Sequence, residues 1–181
     1  MGSLFGKVYQ GLLGLSMLLL TSYTGNNAGF VAYNHFVSEQ TVVVNCRLVN
    51  AFENDFEDIF ASGIKIPILF EAKLSKNKKI MAKESFEYTV NWISKYEHWE
   101  VVFGNQNYSI NTDDFDYLIE IISDVKIEFN TDLADHNEVD FHLKASLPKL
   151  YIPSIKKEVD LMLLWKMKSP EISQRIVFTG V

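Results

Sequence analysis

Apolar and polar residues alternate with period two over much of this chain, the pattern of half-buried strands whose successive side chains point to opposite faces. Val42, Val44, Cys46 and Leu48 stand against Thr41, Asn45 and Arg47, which predicts a strand over Thr41–Leu48. A longer run sets Ile64, Ile66, Ile68, Phe70, Ala72 and Leu74 against Lys65, Pro67, Leu69, Glu71 and Lys73. Pro67 has no N–H to give a ladder, so this strand is expected at a sheet edge or bulged there. After a basic turn, Ser75-Lys-Asn-Lys-Lys79, Phe86, Tyr88, Val90 and Trp92 share one face of a third strand. Ile93–Tyr96 then reverses the chain into Glu97–Phe103, and Gly104-Asn-Gln-Asn107 reverses it again into Tyr108–Ile110. Further strands are predicted at Val125–Phe129, Val139–Leu147 and Val159–Trp165, with a short one at Ile176–Phe178. Leu161-Met-Leu-Leu-Trp165 is apolar on both faces and reads as a covered, central strand.

Two segments break the period. Asn50 with Glu53 resembles a capping box, and Phe52, Phe56, Ile59 and Phe60 make a helical stripe closed by Gly63. Thr112 caps a second predicted helix, with Asp113 and Asp114 at its positive end and Phe115, Leu118, Ile119 and Ile122 on its buried face. Each helix spans about 11–12 residues, too short to stand alone, so both must dock on the sheets. The expected fold is mainly β (α+β): an antiparallel sandwich or strongly curled sheet of about 7–8 strands with two short docked helices, in one domain over residues 31–181. Connections between strands are too short for parallel crossovers.

The N-terminal thirty residues follow another pattern. Lys7 is the only charge before Glu39, Gly11-Leu-Leu-Gly-Leu-Ser-Met-Leu-Leu-Leu20 is apolar, and Thr21–Gly29 is small and polar. This order of basic, apolar and small-residue regions describes a signal peptide or signal anchor over residues 1–30. The apolar block falls short of the roughly 20 residues of a membrane span. The chain is therefore expected to be exported, either periplasmic or attached to the membrane by an uncleaved segment. A cut is expected between Thr24 and Ala32, although no strong A-x-A site is present.

Charge narrows the function classes. With 17 Lys+Arg against 23 Asp+Glu and a net charge of −6, the chain lacks the basic excess of a nucleic-acid binder. A single cysteine, Cys46, excludes an internal disulfide framework, and its place on an apolar face reads as a small buried hydrophobe. There is no G-x-S-x-G, P-loop, H-E-x-x-H, Cys-x-x-Cys or G-x-G-x-x-G motif. The densest polar cluster offers Asp135, His136, Asp140 and His142 as metal candidates, but it lacks the spacing of a calcium loop and any His pair at i, i+4, and reads as a solvated acidic turn. No metal or organic cofactor is expected. His98, between Tyr96 and Trp99, reads as a cross-strand surface contact.

Lys65, Pro67, Lys73, Lys76, Lys78 and Lys79 together suggest a guarded sheet edge at which an envelope protein partner could add a strand. The same residues serve equally to prevent edge pairing. The aromatic rows Phe86/Tyr88/Trp92 and Trp99/Phe103 read as sheet core, with a ligand cavity as the less favoured alternative. The resulting expectation is a non-catalytic binding or scaffold module of the cell envelope. The alternatives are a periplasmic carrier of an apolar ligand such as a lipid, and an enzyme with a scattered site at His98, His136 or His142.

From Phe56 to about Trp165 the chain resembles a bacterial family known as domain of unknown function 4390. The resemblance rests on Phe56-Glu-Asp-Ile-Phe-Ala-Ser-Gly-Ile-Lys-Ile-Pro67, on Phe70-Glu-Ala-Lys-Leu74 with its basic turn, and on Phe86-Glu-Tyr-Thr-Val90 leading to Tyr96-Glu-His-Trp-Glu-Val101. Phe115–Ile122, Leu147-Pro148 and Trp165 complete it. It implies an exported or membrane-anchored envelope protein with an N-terminal hydrophobic segment, and brings no catalytic residues. Lys76-Asn-Lys-Lys79 stands where the family usually has an Arg/Trp-rich turn, so no role for aromatic residues there carries over.

Overall fold

The alternating apolar faces become the inner faces of two antiparallel sheets. The computed structural model describes residues 25–54, 56–133, 137–152 and 156–178. One sheet has the order β1 (Gly29–Val37), β2 (Thr41–Val49), β7 (Asp124–Asn130). The other has six strands in the order β11 (Glu171–Val177), β8 (Glu138–Ser146), β3 (Ile66–Lys76), β4 (Lys79–Ile93), β5 (His98–Phe103), β6 (Tyr108–Thr112). A small ladder pairs β9 (Lys149–Ile152) with β10 (Lys157–Asp160). The fold is mainly β and sandwich-like, as the alternation implies. Among the described residues it has 11 strands, more than the sequence pattern predicts.

Val42, Val44, Cys46 and Leu48 of β2, with Val125, Ile127 and Phe129 of β7, face inward from the smaller sheet. Ile66, Ile68, Phe70, Ala72 and Leu74 of β3, flanked by the buried residues of β8 and β4, face them from the larger one. The Phe129 and Phe141 rings meet edge-on across the gap, 6.2 Å apart, and all these side chains belong to one core.

Helix α1 (Phe56–Phe60) has five residues, so the predicted three-turn helix is a single turn. Asn50 and Asn54 adopt left-handed φ values of 54° and 61°, which a continuing helix forbids, and the capping box does not form. The aromatic stripe is nevertheless buried: Phe52 meets Phe56 edge-on at 5.2 Å, and Phe56 meets Phe60 at 5.4 Å. Helix α2 (Phe115–Ser123) is capped by Asp114, whose Oδ1 accepts from the Tyr117 N–H at 3.1 Å. Thr112, the cap expected from sequence, instead accepts from the Asp114 N–H at 3.0 Å.

The predicted strand Val159–Trp165 divides into β10 and a 3-10 helix over Leu161–Trp165. Asp160 accepts from the Met162 N–H at 3.0 Å and starts the turn, and Lys166 ends it at a φ of 53°. Leu161, Leu164 and Trp165 point inward at helical spacing, so the run plugs one end of the core.

Part of the predicted N-terminal segment belongs to the body. Asn26 is buried, and its amide donates to the carbonyls of Ala51 and Glu53 at 3.1 Å each. Its side-chain oxygen accepts from the Asn54 amide at 2.7 Å, and its N–H donates to the Leu164 carbonyl at 2.7 Å. Gly25 has a φ of +51°, and a Cβ there would lie 2.6 Å from the Lys166 nitrogen, which requires glycine. The rest of the predicted leader, residues 1–24, lies outside the described residues. Among the described residues no helix is long and apolar enough to cross a membrane.

Candidate functional site

The lysine edge expected on β3 is not an edge. β3 lies between β8 and β4: Leu69–Ser75 pair with β8 while Ile66–Lys76 pair with β4. Pro67 falls where β8 has already ended, so its missing N–H costs no ladder bond on that side, and the strand is otherwise interior. Lys76 and Lys79 pair at the end of the β3–β4 hairpin, and Asn77 and Lys78 close it with φ values of 50° and 67°. That is the left-handed pair a two-residue hairpin turn needs. Lys78 and Lys79 are exposed there, and the Lys76 ammonium donates to Glu138 at 2.9 Å. This hydrogen bond, helped by the charges of Lys76 and Arg175, holds the Glu138 carboxyl below its ordinary range. Lys73 lies on the outer face of the sheet and Lys65 is exposed just before β3, so neither offers an unpaired strand to a partner.

Of the metal candidates, Asp135 and His136 lie outside the described residues. Asp140 accepts from the Arg175 guanidinium at 2.9 Å, while His142 stands 3.6 Å from Glu171. The two face the same side of β8 but are drawn to different partners on β11. Among the described residues, no group of three His, Cys, Asp or Glu side chains is arranged to hold a metal ion. His98 stacks on Tyr96 at 5.7 Å and an interplanar angle of 8°, as a surface pair at the β4–β5 reversal.

The aromatic rows face the core. Tyr88, Trp92, Trp99 and Phe103 are buried, with Trp92 against Trp99 at 4.8 Å and Tyr88 against Phe103 at 4.7 Å. Cys46 sits in the same interior, and burial pushes its thiol up to about 12, far from the reactive thiolate range. A thiol-alkylating reagent at pH 8 is therefore expected to modify the native protein no faster than it unfolds, and to modify it promptly in denaturant. Stoichiometric labelling of the folded protein within minutes would contradict this packing.

Two surface features remain that can engage another molecule. The first is β1. At the edges of the two large sheets stand β1, β7, β6 and β11. β7 carries Asp124, Lys126 and Glu128, β11 carries Glu171 and Arg175, and β6 has only five residues. β1 has nine residues, Gly-Phe-Val-Ala-Tyr-Asn-His-Phe-Val, without Lys, Arg, Asp, Glu or Pro. Its pairing with β2 runs from Gly29↔Val49 to Val37↔Val42, with a bulge at Tyr33; among the described residues its other side has no ladder partner, although β11 lies near it. Val31, Tyr33 and Phe36 are 51%, 59% and 62% exposed. Beside the strand lies an open groove of about 370 Å³ lined by His35, Phe36, Val37, Val177 and Phe178, which joins β1 to the edge of β11.

The second is a cleft of about 260 Å³ at the opposite side of the sandwich, between β4, the β5–β6 turn and β7. Gly104 lets that turn approach β4: its N–H donates to the Glu87 carbonyl at 2.8 Å, and a Cβ would lie 2.8 Å from the same oxygen. The Asn105 amide then bridges to the Lys126 carbonyl on β7 at 2.9 Å. Phe86 forms the apolar wall, stacked on Phe70 at 5.1 Å. Asn105 and Gln106, which line the cleft, flank the Tyr88 phenol. Its hydroxyl is buried, within reach of the Asn105 and Gln106 side chains and the Lys126 backbone, and burial pushes its pKa up to about 12, so it stays protonated.

Sequence reasoning missed both features. A single local signal pointed to β1, the absence of charge from Val8 to Ser38, and it was absorbed by the leader reading. Comparison of the chain with protein-family models, with curated proteins and with solved structures finds no match in any of the three.

Proposed function

We propose that this chain is an exported envelope protein, held at or near the membrane by its apolar N-terminal segment, that acts as a non-catalytic binding module. Its partner adds a strand to β1. The observation that carries this reading is the contrast among sheet edges. An unpaired strand presents a row of free N–H and C=O groups, and proteins usually guard such rows with charge, proline or shortness. β7 and β11 carry charges and β6 is short, whereas β1 is long, uncharged and studded with exposed apolar side chains. Main-chain hydrogen bonds supply affinity in such complexes, and pockets for alternate side chains supply specificity. The apolar groove beside Phe36 and Val177 favours an extended, uncharged segment with apolar residues at alternate positions. The uncharged run leading into β1 and the resemblance to the 4390 family support placement in the envelope.

A photoreactive residue at Tyr33, introduced in the native cell, tests the proposal. One discrete protein adduct is expected, with none from the same probe at exposed Tyr96. The adduct is expected to vanish in a Val31→Lys/Phe36→Lys variant, which guards the edge at two exposed positions and changes stability by about 0.5 kcal/mol or less per site. An adduct that persists in that variant would refute strand addition at β1.

A further inference from the structure

The outer face of the six-stranded sheet, away from β1, carries a charge pattern that folding does not explain. Cross-strand register sets Lys83 of β4 opposite Lys73 of β3, and Lys73 opposite His142 of β8. Ser173 of β11 stands opposite His142 and ends the row. Like charges directly opposite one another on neighbouring strands destabilise a sheet, so the fold gains nothing from Lys73 beside Lys83. The rows on either side are compensated. One pairs Arg175 with Asp140 and Lys76 with Glu138, each at 2.9 Å. The other places Lys144 between Glu71 and Glu171 in register, with Glu171 also 3.6 Å from His142. The Lys73 and Lys83 ammonium groups, by contrast, make no ion pair or hydrogen bond among the described residues. Lys73 is half-buried, so it gives up part of its hydration with no carboxylate in exchange.

A concavity of about 310 Å³ lies over this row, lined by Lys73, Lys83 and His142 with Lys144, Glu71 and Glu171. We infer that it binds one phosphoryl group, held by the ammonium groups of Lys73 and Lys83 and by the His142 imidazole. Adjacent strands lie about 4.8 Å apart, so the three donors stand side by side over roughly 10 Å. A planar carboxylate offers two oxygens, too few for all three. A phosphate monoester offers three acceptor oxygens and up to two negative charges, which match three donors and two unpaired ammonium groups. Glu71 and Glu171 at the rim, on a chain of net charge −6, repel an extended polyanion and leave room for a single group.

The experiment titrates the isotope-labelled full chain, in phosphatidylcholine nanodiscs, with inorganic phosphate, acetate and chloride at matched ionic strength while amide resonances are followed. Saturable shifts confined to 71–73, 83–85, 142–144 and 171–173 are expected from phosphate and not from acetate or chloride. Lys73→Gln and Lys83→Gln are each expected to weaken binding about fivefold, the equivalent of one modest charge-assisted hydrogen bond, and together to abolish it. Neither is expected to lower the melting temperature without phosphate, because each removes a like-charge pair. Discs containing phosphatidic acid separate the sources of the phosphoryl group. The same shifts in those discs, with no phosphate added, support a lipid headgroup; shifts from free phosphate alone support a soluble phosphate. No such shift from phosphate or from the phosphatidic acid discs would overturn the inference. So would equal shifts from acetate or chloride, or glutamine variants that bind unchanged.

Discussion

Trp165→Ala is expected to lower the free energy of unfolding by about 3–5 kcal/mol, the usual cost of deleting a large buried aromatic side chain. Trp165 is among the largest fully buried side chains, and its ring lies 6.1 Å from that of Phe52. Its indole N–H donates to the Ala51 carbonyl at 2.9 Å, across 114 positions of sequence. The residue therefore fastens the 3-10 turn to the segment that leads into α1. Urea unfolding curves measure the effect, with the midpoint falling and the slope preserved. Trp165→Phe separates the two contributions: it keeps most of the ring and loses only the N–H. Because the Ala51 carbonyl also accepts from Asn26, that variant is expected to cost only about 1–2 kcal/mol. A loss below about 1 kcal/mol for the alanine variant would mean that Leu161–Trp165 does not plug the core.

Asn26→Ala is expected to cost about 2–4 kcal/mol, through the Glu53 carbonyl that it leaves short of a donor, the Asn54 amide that it leaves short of an acceptor, and the loss of one of the two donors to the Ala51 carbonyl, which keeps the Trp165 N–H. Each lost bond is modest, but these three act on one buried junction where Asn54 is held at a left-handed φ of 61°. The result bears on processing. If a leader is removed, the cut is expected before Asn26, since a cut within Asn27–Ala32 would discard the junction and part of β1. Intact-mass measurement of protein from its native envelope locates the new N-terminus. A mature chain beginning after Asn26, with undiminished stability, would contradict the role assigned to this residue.

Much of the fold was legible because period two is a strong local signal wherever one face is wet. β2, β3, β4, β5, β7 and β8 all lie where alternation puts them, with the expected side chains buried. Where local signals were ambiguous, tertiary structure decided. Leu161–Trp165 is apolar throughout and so carries no period, and Asp160 selects a helical turn. Asn50 and Asn54 were readable as cap residues, but asparagine also enters the left-handed region cheaply, and the Asn26 junction uses that second property. Sheet order was not legible at all. Nothing near Pro67 announces that β8, whose Phe141 pairs with Leu74, will cover most of β3. The edge was therefore assigned to the wrong strand, while β1 went unread because an edge strand with both faces partly exposed has no alternation.

The candidate sites were hidden for a related reason. Asn105 and Gln106 read as ordinary turn residues, and only the bridge from Asn105 to Lys126 brings them over Tyr88. In sequence, Tyr88 is one more apolar position on an alternating face. Its hydroxyl is reached only when the turn folds over it, which no spacing reveals.

The central claim is that β1 is the strand a partner completes. The most direct measurement is hydrogen–deuterium exchange on the full chain, alone and in the complex trapped through Tyr33. The account predicts that amides of Gly29–Val37 facing away from β2 exchange rapidly in the free protein and become strongly protected in the complex, while β6 is unchanged. Protection that appears elsewhere on the sandwich, with β1 exchanging at its free rate, would contradict it.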